Sequence, residues 1–399
     1  MVSSEIRALF VVAARPEIVS LAGGSPFVSA LPLGAVGDMV GGLIASRGQD
    51  ALQYCTAQGD AVLREQICEV MALEGVTAHP DEVVVTVGSQ QALDLITRIF
   101  VDPGDVILAE APTYVGALGA FAAYQADVVH VTMDESGIVP EALAAAISRV
   151  SARGRRIKFL YTVPSFHNPA GVTMAAARRL EVLRICEQAG LLVVEDNPYG
   201  LLGFEGDPAR PLRAHARDGV VYLGSFSKTI AAGLRVGWAV APPGIRDKLV
   251  LAAESAVLCP ASFAQLTVRE YLATQPWREQ IKTFRELYRE RRDAMLDALA
   301  AAMPPGCGWT KPGGGFFVWL RMPEGIDSKA MLPRAVSSRV AYVPGTGFYA
   351  DGSGTEYARL SYSLPDPAQI TDGVRRLAGV IGAELTLQAE FGPVLRRDE

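Results

Sequence analysis

Cysteine, histidine and long apolar runs are all scarce in this chain of 399 residues, and each shortage removes a class of protein. The five cysteines, Cys55, Cys68, Cys186, Cys259 and Cys307, are scattered, odd in number and form no Cys-x-x-Cys pair. That pattern excludes a disulfide framework and a zinc ribbon, and fits free thiols in a reducing cytoplasm. The four histidines, His79, His130, His167 and His215, never fall at i,i+3 or i,i+4 spacing, so no metal site is expected. No uninterrupted apolar run reaches the roughly 18 residues of a membrane span. The stretch "ALFVVAA" (8–14) is too short and lacks the basic segment of a secretory leader; it reads as an amphipathic helix. Net charge is −6 with acids and bases mixed throughout, so neither nucleic acid nor an anionic membrane is indicated as a partner. The glycine fingerprints Gly-x-Gly-x-x-Gly and Gly-x-x-x-x-Gly-Lys-[Ser/Thr] are absent, as are repeats and low-complexity tracts. A small-molecule partner is what this leaves.

What is present is a regular alternation. Half the residues are apolar, enough for a large core, and the length suggests two or three domains. From residue 81 onward, short apolar runs alternate with helical patterns. The strand-like runs are "VVVTV" (83–87), "VILAE" (106–110), "DVVHVT" (127–132), "IKFLYTV" (157–163), "LLVVED" (191–196) and "GVVYLGS" (219–225). Helical patterns lie between them, as in "VGALGAFAAYQA" (115–126) and "MAAARRLEVLRICEQAG" (174–190). Strands that are apolar throughout are covered on both faces, and strand-helix alternation implies right-handed crossovers in a mostly parallel sheet. The expected fold class is α/β: a large domain with a seven-stranded type of sheet, followed by a smaller α+β domain. The boundaries read as 1–35 for an N-terminal helix and arm, 36–276 for the large domain, and 277–399 for the small one. The long amphipathic stretch 277–303 links the two. Strands are expected at "GGGFFVWLRM" (313–322), "VAYVPG" (340–345) and "EYARLSYSL" (356–364), with "FGPVLRRDE" as a loose tail.

In open parallel sheets ligands bind beyond the carboxyl ends of the strands, so the loops there carry the chemistry. After "VVVTV", Gly88 and Ser89 open a helix whose N-terminus suits a phosphate, although for this piece alone an ordinary cap is the better explanation. Tyr114 in "APTYVG" could support a planar ring or simply pack. Asn168, before Pro169, could reach a ligand oxygen across a cis bond, or serve only the turn. "LLVVEDNPYG" is harder to explain without a ligand: a carboxylate behind four apolar residues needs a partner, and Asp196 would suit a protonated ring nitrogen, with Tyr199 near a ring oxygen. In "SFSKTIAAGLRVGW" (225–238), Ser225, Ser227 and Arg235 are phosphate ligands by type. Lys228 sits among them with few charged neighbours, which lowers an amine's pKa and leaves it neutral enough to form a Schiff base. Phosphate cradle, stacking aromatic, ring acid and neutral lysine together match pyridoxal 5′-phosphate.

These motifs resemble the fold-type I, class I and II pyridoxal-phosphate aminotransferases over nearly the whole chain. Ser-x-Ser-Lys followed by Gly-x-Arg-x-Gly resembles that family's cofactor-lysine signature. "NPAG", "DNPY" and "ARLSYS" follow in the family's order. "SLAGGSPF" and "LQYCTAQGDAVLREQI" look closest to its 2-aminoadipate branch. The resemblance implies Lys228, Asp196 and Tyr199 as the catalytic set, with Lys228 holding the cofactor covalently. Asn168 and Tyr199 would contact the ring hydroxyl and Tyr114 would stack on the ring. Ser89, Gln90, Ser225, Ser227 and Arg235 would hold the phosphate, and Tyr54 would reach across from a second subunit of a homodimer. Arg359 would clasp the substrate carboxylate, with Gly24, Asn168 and Tyr54 beside it. Arg7 could meet a second carboxylate, or be an exposed helix residue.

The implied reaction moves the amino group of an L-amino acid to a 2-oxo acid, 2-oxoglutarate by expectation, in a ping-pong scheme in the cytoplasm. A carbon–sulfur lyase or decarboxylase would use the same lysine and aspartate and stays open at this point. So does an aminotransferase-like sensor domain without catalysis, although the residues before the first sheet strand are not basic.

Overall fold

A computed structural model describes residues 15–392. Arg7, the helix expected at 8–14 and the end of the C-terminal tail lie outside the described residues. All five cysteines are unpaired.

The strands, in chain order, begin with β1 (Val19–Ser20). They continue with β2 (Val83–Val87), β3 (Val106–Ala111), β4 (Asp127–Asp134), β5 (Gly137–Ile138), β6 (Ile157–Thr162), β7 (Leu192–Asp196), β8 (Val220–Ser225) and β9 (Val236–Val240). These eight, β2 to β9, form one sheet in the order β2-β9-β8-β7-β6-β3-β4-β5. Pairings β4·β3, β3·β6, β6·β7 and β7·β8 are parallel. Strand β9 runs antiparallel to both its neighbours, β2 and β8. The sheet is therefore mostly parallel, with seven full-length strands and the two-residue β5 at one edge. The reading of the sequence passed over β9, because "VGWAV" follows so closely on the lysine motif that it looked like part of the same loop.

Side-chain alternation sorts these strands onto two faces. Val106 and Leu108 of β3 join one core with Leu160, Val193 and Val220, under the helices Pro140–Ala152 and Ala176–Gln188. Ile107 and Ala109 join another with Phe159, Val194 and Leu223, under the helix Gly88–Phe100. All six residues of β8 are buried, which is why the sequence there shows no polar alternation.

The remaining strands are β10 (Gly308–Trp309), β11 (Phe317–Arg321), β12 (Val340–Ala341), β13 (Val343–Pro344) and β14 (Tyr357–Ser361). Four of them make an antiparallel sheet, β10-β11-β14-β13. The 26-residue helix Trp277–Ala302 leads into it, and the capped helix Pro367–Phe391 follows it. "VAYVPG" is not one strand as expected: it divides at Tyr342. Strand β13 stays in the small sheet, while β12 pairs in parallel with β1 of the N-terminal arm. The arm is thus part of the C-terminal architecture. Leu21 donates its N–H to Ala341 and accepts from the N–H of Ser361, at 2.8 and 2.7 Å.

Candidate active site

A cavity of about 270 Å³ opens at the carboxyl ends of β6 and β7. Its walls include Gly24, Ser89, Tyr114, Asn168, Asp196, Tyr199, Lys228 and Arg359, eight residues drawn from distant parts of the sequence. Seven of them converge because each ends a strand or lies in the segment after one, whereas Arg359 reaches in from the middle of β14 (Tyr357–Ser361).

Strand period decides which acid enters. Glu195 and Asp196 close β7 and are both buried, but alternation turns them to opposite faces. Glu195 accepts the backbone N–H groups of Leu212 and Arg213 at 2.8 and 2.9 Å, and burial pushes it up to about 7. Asp196 faces the cavity. One of its oxygens, Oδ2, accepts from the Tyr161 hydroxyl at 3.0 Å, while Oδ1 is buried without a partner. Burial raises the Asp196 carboxyl to about 6; the Tyr161 hydroxyl and the charge of Lys228 work against that rise. Tyr161 is a site residue the sequence reading missed. The only signal for it was a tyrosine next to the apolar pair Phe159–Leu160 in a buried strand.

Lys228 projects from the segment between β8 and β9, where residues 227–231 form one wide helical turn. Its ammonium donates to the carbonyl of Gly24 at 3.0 Å and lies 5.7 Å from the centre of the Phe316 ring. Burial lowers its pKa to about 8, helped by the positive charges of Arg359 and Arg235 and opposed by Asp196.

Arg359 on β14 is 4 % exposed and has no carboxylate partner among the described residues. It donates to the Asn168 side-chain oxygen at 2.9 Å and to the carbonyl of Ala22 at 2.8 Å, and its Nε is left over. Phe317 and Phe348 lie against the guanidinium at 4.2 and 5.2 Å. Burial lowers its pKa to about 10. A buried cation without a counter-charge is an anion site waiting for an anion. The Asn168–Pro169 bond is cis, as is Ala111–Pro112, which the sequence reading did not single out. Tyr199 is buried against Phe316 and Phe317, and burial raises its pKa.

Beside the cavity, Ser225, Ser227 and Arg235 form a second cluster. The Ser225 and Ser227 hydroxyls are 2.9 Å apart, the N–H of Ser227 donates to the Ser225 oxygen at 3.0 Å, and Arg235 reaches Ser227 at 3.3 Å. Arg235 holds a left-handed backbone (φ 53°) and lies next to the first turn of the Gly88–Phe100 helix. A Cβ on Gly88 would stand 2.3 Å from the Arg235 guanidinium, and φ there is +73°, so only glycine fits. Serine hydroxyls, a helix N-terminus and an arginine make a cradle for a phosphate. The side chain of Gln90 is engaged elsewhere: its amide donates to Gly116 at 2.8 Å and its oxygen accepts from Tyr114 at 3.3 Å. Tyr54 is 75 % exposed and lies in a different hollow, with Cys55 and Ser262.

The residues fit pyridoxal phosphate. The orphaned Oδ1 of Asp196 suits a ring N–H, the Lys228 amine with its lowered pKa suits an aldehyde, and the serine–arginine cradle suits the phosphate.

Comparison with known proteins agrees. The sequence pattern described as aminotransferase class I and II matches residues 33–377. Aromatic-amino-acid aminotransferase 1 of Thermococcus litoralis is 41 % identical over 387 residues, 96 % of this chain and 93 % of the relative. The 2-aminoadipate transaminase of Thermus thermophilus is 38 % identical over 389 residues, 96 % of this chain and 95 % of the relative. A crystal structure of Pyrococcus horikoshii kynurenine aminotransferase, solved with PMP, superposes with a TM-score of 0.92 at 40 % identity, covering 96 % of both chains. By pattern, by relatives and by fold, the chain belongs to the class I and II aminotransferases, enzymes that depend on pyridoxal phosphate.

Proposed function

We propose that the enzyme transfers the amino group of an L-amino acid to a 2-oxo acid, with 2-oxoglutarate as acceptor, in a ping-pong scheme. The observation that carries this reading is the pairing in one cavity of Lys228 with an acid, Asp196, that has one free oxygen. When bound, the cofactor supplies an aldehyde carbon and an electron-accepting ring.

The chain's own residues do the rest. Lys228, lowered to about 8, offers a neutral amine to hold the cofactor. When not holding the cofactor, the same amine would be the base that moves the proton at the donor Cα. Asp196 would hold the ring nitrogen's proton through Oδ1, while Tyr161 keeps Oδ2 occupied. Arg359 holds the donor's α-carboxylate, aligned by Asn168 and the arm carbonyl of Ala22. Asn168 and Tyr199 would contact the ring hydroxyl and Tyr114 would stack on the ring. Ser89, the backbone at Gln90, Ser225, Ser227 and Arg235 would hold the phosphate. One cavity with one Lys228 and one Arg359 serves donor and acceptor in turn, which supports the ping-pong order.

The walls beside Arg359 are Tyr114, Val115, Val163 and Phe317. With relatives named for aromatic amino acids, 2-aminoadipate and kynurenine, they support a donor with a large side chain. The dicarboxylic donor of the second of these supports 2-oxoglutarate as acceptor. The exposed Tyr54 supports a homodimer in which it completes the partner's site, and the unpaired cysteines support a cytoplasmic setting.

The test is a panel of amino donors with 2-oxoglutarate, with product analysis. Glutamate and a 2-oxo acid formed in equal amounts are expected, together with a visible cofactor band lost in Lys228→Ala. Ammonia or carbon dioxide in place of glutamate would overturn the reading.

A further inference from the structure

Below the cavity lies a pair of ionisable side chains that the reaction does not use. Glu110, at the end of β3, and His167, immediately before Asn168, are 2 % and 1 % exposed as side chains, with His167 Nε2 3.1 Å from Glu110 Oε2. The two groups are in direct contact, at an angle outside that of an aligned hydrogen bond. Glu110 is itself fixed: it accepts from the Thr162 hydroxyl at 2.7 Å and from the N–H of Val163 at 2.8 Å, where β6 ends.

His167 is the hub of the turn that carries Asn168. Its Nδ1 accepts the N–H of Ala170 at 3.2 Å, its N–H donates to Val172 at 2.8 Å, and its carbonyl accepts from Gly171 at 2.6 Å. Because Nδ1 accepts, the neutral ring carries its proton on Nε2, facing the Glu110 carboxylate. The carboxylate thereby sets both the tautomer and the orientation of the ring, and the ring holds the turn. Asn168 leaves that turn with its side-chain oxygen on Arg359 at 2.9 Å.

We propose that the Glu110–His167 pair is a positioning device for Asn168 and, through it, for the guanidinium of Arg359. This inference rests on the reading of Arg359 as the carboxylate-binding residue. Neither Glu110 nor His167 lines the cavity, so they act through the geometry of a neighbour, not by contact with substrate. A guanidinium that must meet a carboxylate with two aligned N–H groups is sensitive to such support.

The test uses the holoenzyme with two variants at one position. His167→Ala removes both ring contacts, whereas His167→Gln retains an N–H donor where Nε2 meets Glu110. In His167→Ala, KM for the amino donor and the dissociation constant of an unreactive carboxylate, 3-phenylpropanoate, are expected to rise together by about tenfold, with kcat changed by less than about threefold. His167→Gln should recover most of that loss. Titration of the apoenzyme with cofactor gives a second, activity-free readout and should change by less than the carboxylate constant. If His167→Ala fails to fold, Glu110→Gln replaces it, and a several-fold rise in both constants is again expected.

Unchanged constants in the folded variant would overturn the proposal, and so would equal impairment of His167→Ala and His167→Gln, which would assign the effect to packing volume. Arg359→Lys separates the two levels. If it raises KM and the pair does not, only the positioning role falls; if Arg359→Lys itself has no effect, the carboxylate reading falls.

Discussion

The Tyr161 hydroxyl donates to one oxygen of Asp196 at 3.0 Å and leaves the other oxygen buried without a partner. The carboxylate is thus half-satisfied, with its free side turned toward the cavity. Removing the hydroxyl in Tyr161→Phe should push Asp196 further up and weaken its grip on a ring N–H. A hydrogen bond to a charged group is worth about 1.5–3 kcal/mol, so cofactor affinity should fall by about tenfold or more. Titration of the apoenzyme, followed by absorbance, measures it.

The lowered pKa of Lys228 sets a pH dependence for covalent capture of the cofactor. The neutral amine is the reactive form, and a lowered pKa raises its share at a given pH. With Lys228 at about 8, the neutral share at pH 7 is roughly one in ten, against roughly one in three thousand for an ordinary lysine. The capture rate of the apoenzyme should climb about tenfold per pH unit below about 8 and flatten above it. Stopped-flow absorbance across pH 6 to 9, in steps of about half a unit, reads this directly. A profile still rising at the upper end would show an unperturbed lysine.

Arg359→Lys keeps the charge and loses the planar fork. Lysine cannot offer two parallel N–H groups to a carboxylate while also holding Asn168 and the arm carbonyl. KM for the donor should rise by about 30-fold or more, corresponding to about 2 kcal/mol, with a smaller effect on cofactor affinity. Steady-state kinetics with the best donor of the panel is the measurement.

Tyr54 offers a test that needs two chains. Neither Lys228→Ala nor Tyr54→Ala should support full activity by itself. If Tyr54 serves the partner's cavity, a hybrid dimer of the two variants contains one complete site and one doubly impaired site. Mixing the two chains after unfolding and refolding should therefore restore activity to hybrids. Purified hybrids should show about half of the wild-type kcat. No recovery in hybrids would place Tyr54 outside the partner's site.

Much of the fold was legible because β6, β7 and β8 carry unbroken apolar centres, Phe159–Leu160, Leu192–Val194 and Val220–Val221, and strands covered on both faces read that way. The lysine motif was legible for a related reason: a lone cation among serines and alanines fits neither a charged surface nor an apolar core well, which put a plain surface lysine at a disadvantage. Strand β9 was missed because it is five residues long and begins directly after Arg235. The split of "VAYVPG" was invisible because pairing with β1, more than three hundred residues earlier, is a tertiary event that no local pattern encodes. Within the site, the sequence pointed to a carboxylate at the end of β7 on general grounds, but the choice of Asp196 over Glu195 follows from which face each one meets. Tyr161 and His167 lay beyond such reasoning. A tyrosine in a strand and a histidine in a turn look like packing until the position of their partners, Asp196 and Glu110, is known.

The N-terminal arm lines the cavity with Gly24 and Ser25 and is clipped at both Ala341 and Ser361. Its carbonyls at Ala22 and Gly24 receive the guanidinium of Arg359 and the ammonium of Lys228. The two basic groups proposed to act in turnover therefore both rest on one short ribbon of backbone, whose mooring lies at the far end of the polypeptide. A change near residue 340 that touches no ligand would reach the chemistry by tugging on that ribbon.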